Sequence, residues 1–245
     1  MKNEIIISRT NQRLQHFKKL IASREYRYEH REYVIEGLRA LDGVRELKEV
    51  LVREGTPIPA ITSPRVSIVS SEIFSSIAAT EHSQGVLAIA GFTTLNARSL
   101  RKSGCYVLLD RLQDPGNMGT IARVCSAFAL QGLIVTPGCV DPFSPKVVRA
   151  AAGALNNLDV ITISSVEELQ GYTLIAADAR GNDVGCFSWP AGYILAIGNE
   201  AGGLSTEVRQ HATATVAVPI EDCMESLNAA VSAGILLYCA TRPQR

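Results

Sequence analysis

The chain has 245 residues, 47% hydrophobic and 20% charged, with 24 Lys/Arg balancing 24 Asp/Glu. That composition supports one large or two modest domains with a sizeable core, and it excludes a disordered chain. A formal net charge of zero excludes a polycation that coats nucleic acid by bulk charge alone. The charge is nonetheless uneven: residues 1–100 hold 14 basic against 11 acidic side chains, and residues 101–245 hold 10 against 13. The basic excess concentrates in Arg9, Arg13, Lys18, Lys19, Arg24, Arg27 and Arg31, opposed over that window only by Glu25 and Glu29. Such a run is either a solvated helix face or an RNA-facing one.

In chain order, Asn11 reads as the N-cap of a helix to about Ser23, with Leu14, Phe17 and Ile21 at helical spacing. Tyr33 to Gly37 reads as a strand, followed by a helix near 38–47. Val50–Val52 and Val66–Val69 read as strands separated by a loop marked by Pro57, Pro59 and Pro64. A helix near 71–78 leads to a strand over Gly85–Ala90. Residues 1–91 therefore form a small α/β domain, and the polar stretch 92–103 reads as a linker.

Residues 104–245 alternate. Strands fall at Tyr106–Asp110, Leu133–Thr136, Val160–Ile163, Thr173–Ala177, Tyr193–Ile197 and Thr215–Val218, and an apolar helix closes the chain from Ser226 to Thr241. Continuous apolar strands with helices between them indicate a parallel sheet, whose ligands bind at the carboxyl ends of the strands.

Three motifs lie at such ends. Asp114-Pro115-Gly116-Asn117-Met118-Gly119 joins a strand to a helix, and Arg123 follows Gly119 by one helical turn. Glycines let backbone approach a ligand, and an arginine can fork onto a phosphate or oxyanion. Gly198-Asn199-Glu200-Ala201-Gly202-Gly203 is dense in glycine and offers one carboxylate, which could serve as a base, bind a ribose or amino group, or be a solvated loop residue. Pro219 to Asn228 ends in Ser226-Leu227-Asn228, where Ser226 is a good N-cap and Asn228 either caps or presents an amide. His16, His30, His82 and His211 lie outside these loops, which disfavours an imidazole base. The six cysteines show no metal-ligand spacing and read as free thiols. The start, Met1-Lys2-Asn3-Glu4, lacks an apolar signal region, and no apolar run reaches the ~18 residues of a membrane span, so a cytoplasmic protein without membrane attachment is expected.

These motifs resemble, in order, the three motifs of the SpoU/TrmH branch of the SPOUT methyltransferases, RNA ribose 2′-O-methyltransferases that use S-adenosyl-L-methionine. The first matches Asp114, Pro115, Asn117, Gly119 and Arg123. The second matches Gly198, Asn199, Glu200, Gly203, Leu204 and Ser205, with Ala201 in place of a glycine. The third matches Pro219, Ser226, Leu227 and Asn228, with Val218 and Ile220 for the usual Ile and Met, Asp222 for a glycine and Ala230 for a serine. Asp141 to Lys146, through Gly153-Ala154, also resembles the family. So, more faintly, do Ser8–Asn11, Val34–Gly37 and Gln84–Ala88, which are similar to an amino-terminal substrate-binding domain of ribosomal-protein type.

The resemblance implies an α/β fold: a parallel-sheet SPOUT domain over 104–245 with a carboxyl-terminal trefoil knot, preceded by a small α/β RNA-binding domain. It implies a homodimer through the second domain. It places S-adenosyl-L-methionine against Gly198, Val218, Ile220, Leu227 and Asn228, and the catalytic surround at Asn117, Arg123, Glu200, Ser226 and Asn228. A guanidinium keeps its proton, so Arg123 is expected to grip phosphate and steady the developing alkoxide, leaving Glu200 or the RNA phosphate to accept the proton. RNA contacts are expected from Arg9, Arg13, Lys18, Lys19 and Arg24, and no metal. Ribosomal RNA, 23S in particular, is the first substrate expected, with transfer RNA second. Two rivals are a non-catalytic RNA-binding module on the same fold and a nucleotide-dependent oxidoreductase. Asn117, Arg123, Glu200 and Asn228 together argue against the first, and the missing G-x-G-x-x-G against the second.

Overall fold

A computed structural model of the chain describes residues 4–6, 8–58, 60, 65–78, 83–221 and 223–242. Pro59, Pro64, His82 and Asp222 lie outside the described residues. In chain order the first elements are β1 (Glu4–Ile6), α1 (Gln12–Ala22), α2 (Arg24–His30), β2 (Glu32–Glu36), β3 (Leu47–Arg53), β4 (Val66–Val69), α3 (Ser71–Ser75) and β5 (Val86–Gly91). Then come β6 (Thr94–Leu95), β7 (Cys105–Leu109), α4 (Pro115–Ala127), β8 (Gly132–Val135), α5 (Pro145–Ala151), β9 (Asp159–Thr162), β10 (Leu174–Asp183), β11 (Tyr193–Ile197), α6 (Thr206–His211), β12 (Ala214–Ala217) and α7 (Ala229–Thr241).

The chain divides into two units. The first comprises residues 1–93 with 143–156, and the second 94–142 with 157–245. The first holds a five-stranded mixed sheet in the order β1-β4-β3-β5-β2, in which β5 runs antiparallel to both β2 and β3. Leu14, Phe17 and Leu20, spaced to fall on one face of α1, bury with Leu51, Leu87 and Ile89 of the sheet. Asn11 caps α1 as its type and position predict, its Oδ1 accepting from the Arg13 backbone N–H at 2.9 Å. The expected helix over 38–47 is only a 3-10 turn, Leu38–Leu41, and β3 begins at Leu47. Gly37 and Gly43, at φ 94° and 75°, bracket that turn in a conformation no right-handed helix contains.

The second unit is a seven-stranded sheet, parallel throughout, in the order β12-β10-β11-β7-β8-β9-β6. Strands β7, β8 and β11 are almost wholly buried, which explains their unbroken apolar sequence. Residues 92–103 depart from a simple linker. Thr94–Leu95 add β6 to this sheet, while Ala97 and Leu100 enter its core. Phe143 to Asn156 depart in the other direction: Phe143 stacks on Phe92, and Asn156 bonds the backbone at Ala40 and Asp42, all inside the first unit. Polar composition hid the first contribution, and position within the second half of the chain hid the other. The closing helix starts at Ala229 rather than Ser226, capped by Asn228. Among the described residues no helix is long and apolar enough to cross a membrane, and the six cysteines are free.

Candidate active site

Strand β7 ends on Leu109 and its continuation, Asp110, is buried beside the loop that follows β11. Asp110 Oδ2 accepts the backbone N–H of Ser205 at 2.5 Å. Arg111, at φ 55°, donates from Nε to Asp110 Oδ1 at 3.3 Å. Asn199 closes the loop. Its Nδ2 donates to the Arg111 carbonyl at 2.8 Å and its Oδ1 accepts the N–H groups of Ala201 and Gly202 at 2.9 and 3.2 Å. Paired backbone bonds between Asn199 and Gly203, at 3.0 and 2.9 Å, complete a tight hairpin. A Cβ on Gly198 would meet Gly203 C at 2.3 Å and Leu204 N at 2.4 Å. Glycine is therefore dictated at 198 by the loop's own returning backbone.

The third motif meets the first two through a chain of side-chain hydrogen bonds. Asn228 Nδ2 donates to Asn117 Oδ1 at 2.9 Å, and Asn117 Nδ2 donates to Glu200 Oε1 at 2.9 Å. Asp114 supports Asn117 from below as the N-cap of α4, Oδ1 accepting the Asn117 N–H at 2.7 Å with Pro115 next in line. Glu200 also accepts the N–H groups of Asp114 at 3.3 Å and Gln113 at 3.4 Å. Partial burial pushes its pKa up, but the Asn117 amide and the backbone donors outweigh that, and its carboxyl lies below the usual range. A carboxylate with both oxygens engaged and a depressed pKa is a weak proton acceptor and a strong tie. Asn228 does two jobs, because its Oδ1 accepts the Ala230 and Val231 N–H groups at 2.9 and 3.2 Å and so caps α7. That displaces Ser226 from the cap its residue type suggested.

Gly198, Val218, Ile220, Leu227, Glu200 and Ser226 all line one cleft of about 390 Å³ at the carboxyl ends of β10, β11 and β12. Ile197, Val216, Leu227 and Leu236 give it an apolar wall, while Asn199, Ser226 and Glu225 give it a polar one. Its size falls in the ~300–1,000 Å³ range of small-molecule sites. A nucleoside with a charged amino-acid tail, as in S-adenosyl-L-methionine, matches that division of surfaces. Asn117 and Asn228 stand outside the cleft lining and connect to it through Glu200. Arg123 is exposed on α4, and among the described residues no side chain pairs with it. The sequence reading missed Asp178 and Arg209. Asp178, nine-tenths buried, pairs with Arg209, which also donates from Nε to the Leu204 carbonyl at 3.2 Å and so ties β10 to the glycine loop. The available signal was the position of Asp178 just beyond the strand expected at Thr173–Ala177, which β10 in fact carries on to Asp183.

In the first unit the basic run disperses. Arg27 is buried and donates to the carbonyls of Leu20 and Ile21 at 2.6 and 3.2 Å, closing the end of α1, so it is a structural group. Arg9 pairs with Glu72. Arg13 is half-buried against Ser67 Oγ at 3.2 Å and Glu49 at 3.9 Å. Lys19 and Arg24 lie over the rings of Tyr26 and Tyr28, and Lys18 is half-buried.

A parallel sheet with a glycine-lined, half-polar cleft at its strand ends defines an α/β domain that holds a nucleoside-bearing small molecule. Within that class the chain belongs to the SpoU rRNA Methylase family, whose family model matches residues 104–238. It is 31% identical to the 23S rRNA (guanosine(2553)-2′-O)-methyltransferase RlmP of Bacillus subtilis, over 95% of this chain and 97% of that one. It is 28% identical to the 23S rRNA (uridine(2479)-2′-O)-methyltransferase of Streptomyces viridochromogenes, over 96% and 91%. The AdoMet-bound rRNA methyltransferase from Sinorhizobium meliloti superposes with a TM-score of 0.85, at 26% identity over 98% of both chains.

Proposed function

We propose that this protein transfers a methyl group from S-adenosyl-L-methionine to a ribose 2′-oxygen of 23S ribosomal RNA. The observation that carries the reading is the Asn228–Asn117–Glu200 hydrogen-bond chain standing at the edge of the cleft lined by Gly198, Val218, Ile220 and Leu227. When bound there, S-adenosyl-L-methionine supplies an already activated sulfonium methyl. The protein then has mainly to align the ribose oxygen and favour loss of its proton, and alignment of this kind contributes up to ~7–11 kcal/mol. Asn117 and Asn228 orient one another and fix the nucleotide's polar edge. Glu200 holds Asn117 and the Gln113–Asp114 backbone in place. Arg123, exposed and without a partner among the described residues, grips the target phosphate and steadies the developing alkoxide. With Glu200 fully engaged, the RNA phosphate is the better proton acceptor. Ser226, on the cleft wall, places a hydroxyl beside the reacting groups.

The same reading takes the first unit as the source of RNA affinity, through Arg9, Arg13, Lys18, Lys19 and Arg24, and the second unit as the dimer contact. Val231 and Tyr238 on α7 are 51% and 42% exposed, which supports a partner on that helix. A threaded carboxyl end is supported by chain path. After β12 at one edge of the sheet, α7 packs on α4, which follows β7 on the far side of β10 and β11. Work on ribosomal RNA places the enzyme in the cytoplasm. Ribose-methylation mapping across total RNA from a deletion strain tests the reading. One 23S site should lose its methyl group and regain it with the wild-type chain but not with Arg123→Ala. Loss at a transfer RNA position instead would move the substrate, and an unchanged map would overturn the activity.

A further inference from the structure

The first unit contains a second cleft, of about 180 Å³, lined by Glu36, Gly37, Arg39, Ala40, Ser83, Gln84, Arg149 and Ala152. Its two arginines come from segments 110 residues apart in the sequence. Both are exposed, and among the described residues neither has a partner. That sets them apart from Arg9, Arg13 and Arg27, which acids, a hydroxyl or backbone carbonyls already engage. An arginine already satisfied within the protein gives up one contact to gain another, whereas an unpaired guanidinium offers its whole donor fork to a phosphate.

The two arginines are held in fixed relation. Asn156 Nδ2 donates to the carbonyls of Ala40 and Asp42 at 2.9 and 2.8 Å, and its Oδ1 accepts from the Tyr33 hydroxyl at 3.2 Å. Gly153, at φ 91°, lets the two backbones meet, since a Cβ there would lie 3.3 Å from Ala40 Cα and 3.4 Å from Arg39 O. The third donor is equally set. Gln84 Oε1 accepts the Leu38 N–H at 3.0 Å, which leaves its Nε2 without a partner among the described residues. Glu36 lines the same cleft and carries an interaction of its own. Its charge disfavours a free anion. It suits a ligand that brings phosphates to the arginines and a hydroxyl or amino donor to the carboxylate, which is the chemistry of an RNA strand and its 2′-hydroxyls.

We propose that Arg39, Arg149 and Gln84 form a preorganised clamp for the RNA backbone, distinct from the basic run on α1 and α2. The clamp rests on the reading of the protein as an RNA methyltransferase and names where its substrate is gripped. It also explains why residues 143–156, which interrupt the second unit in sequence, belong to the first: they deliver Arg149 and the Asn156 tie.

The test uses the full-length protein and a 23S rRNA transcript across a salt series, with Arg39→Gln, Arg149→Gln, the double variant and, as a control, Arg98→Gln at an exposed arginine outside both clefts. Each lost phosphate contact flattens the slope of log affinity against log salt by about 0.7–0.9. The double variant should lose about 1.4–1.8 in slope, bind at least tenfold more weakly at physiological salt, and raise KM for RNA with kcat and cofactor affinity unchanged. Arg98→Gln should leave the slope within error of wild type. A double variant with the wild-type slope and KM, in a protein that binds and methylates the transcript, overturns the clamp alone. Wild-type protein that neither binds nor methylates ribosomal RNA overturns the underlying reading instead. Equal weakening by Arg98→Gln also overturns the proposal, because it shows diffuse attraction with no localised clamp. Inorganic phosphate at concentrations that compete no better against wild type than against the double variant supports recognition of the strand over a lone anion, while selective competition against wild type reduces the cleft to an anion site.

Discussion

Substituting Asn228 separates structural support from catalysis, because one side chain supplies both through different atoms. Its Oδ1 caps α7, and its Nδ2 orients Asn117. Asn228→Ala removes both. Losing the cap costs about 1 kcal/mol. Losing the part-buried neutral hydrogen bond to Asn117 adds about 0.5 kcal/mol, the low end of the usual range, because the Asn228 end of it is exposed. The sum of about 1.5 kcal/mol corresponds to a fall in Tm of roughly 3–6 °C for a chain of this length. Asn228→Asp keeps an acceptor at the helix start, where a negative charge is also favoured by ~0.3–1 kcal/mol, so its Tm should stay within about 2 °C of wild type. The new carboxylate, however, faces Asn117 Oδ1. The Asn117 amide must turn to donate toward it, which presents Oδ1 to the Glu200 carboxylate and breaks the 2.9 Å tie. A misplacement of this size at a reacting centre costs on the order of 100-fold. Calorimetry together with transfer of labelled methyl to 23S rRNA reads both quantities. Both variants should fall about 100-fold in kcat while only the alanine variant loses stability. Asn228→Asp with near-normal turnover would sink the idea that the amide chain positions the substrate.

Asn117→Ala should move the acid limb of cofactor binding to higher pH. Glu200 has its pKa lowered in the folded protein, so its tie is intact above the ordinary glutamate range and fades as pH falls through the depressed value; without the Asn117 donor that value rises. Identical acid midpoints in wild type and variant, by titration calorimetry, would refute this. Gly198→Val should abolish cofactor binding by forcing the Asn199–Gly203 hairpin open, with folding checked by circular dichroism; retained affinity would show that the cleft tolerates an open loop. Arg123→Ala should remove methyl transfer by at least 100-fold and leave cofactor affinity within a few-fold, since Arg123 stands outside the cleft lining. Near-normal turnover would reduce it to a surface residue.

Much of the molecule is legible in its sequence because short-range physics wrote it there. Unbroken apolar runs at β7, β8 and β11 announce strands buried on both faces, and Asn11 announces the start of α1 by the hydrogen bond its side chain can make two residues on. Three motifs at strand ends in order, two of them glycine-bearing, with Asn117, Arg123, Glu200 and Asn228 among them, point to the family to which the chain belongs.

What tertiary structure alone decided is how side chains far apart in sequence divide the available hydrogen bonds. Asn228 outcompetes Ser226 for the α7 cap because Asn117 is there to accept its amide. Arg27 turns inward because two helix-end carbonyls at Leu20 and Ile21 need a donor, so a residue that counted as surface charge in the sequence is core in the fold. Thr94–Leu95 join the second sheet and Phe143–Asn156 the first unit because strand pairing and aromatic stacking reward proximity in space, which neither composition nor position along the chain encodes.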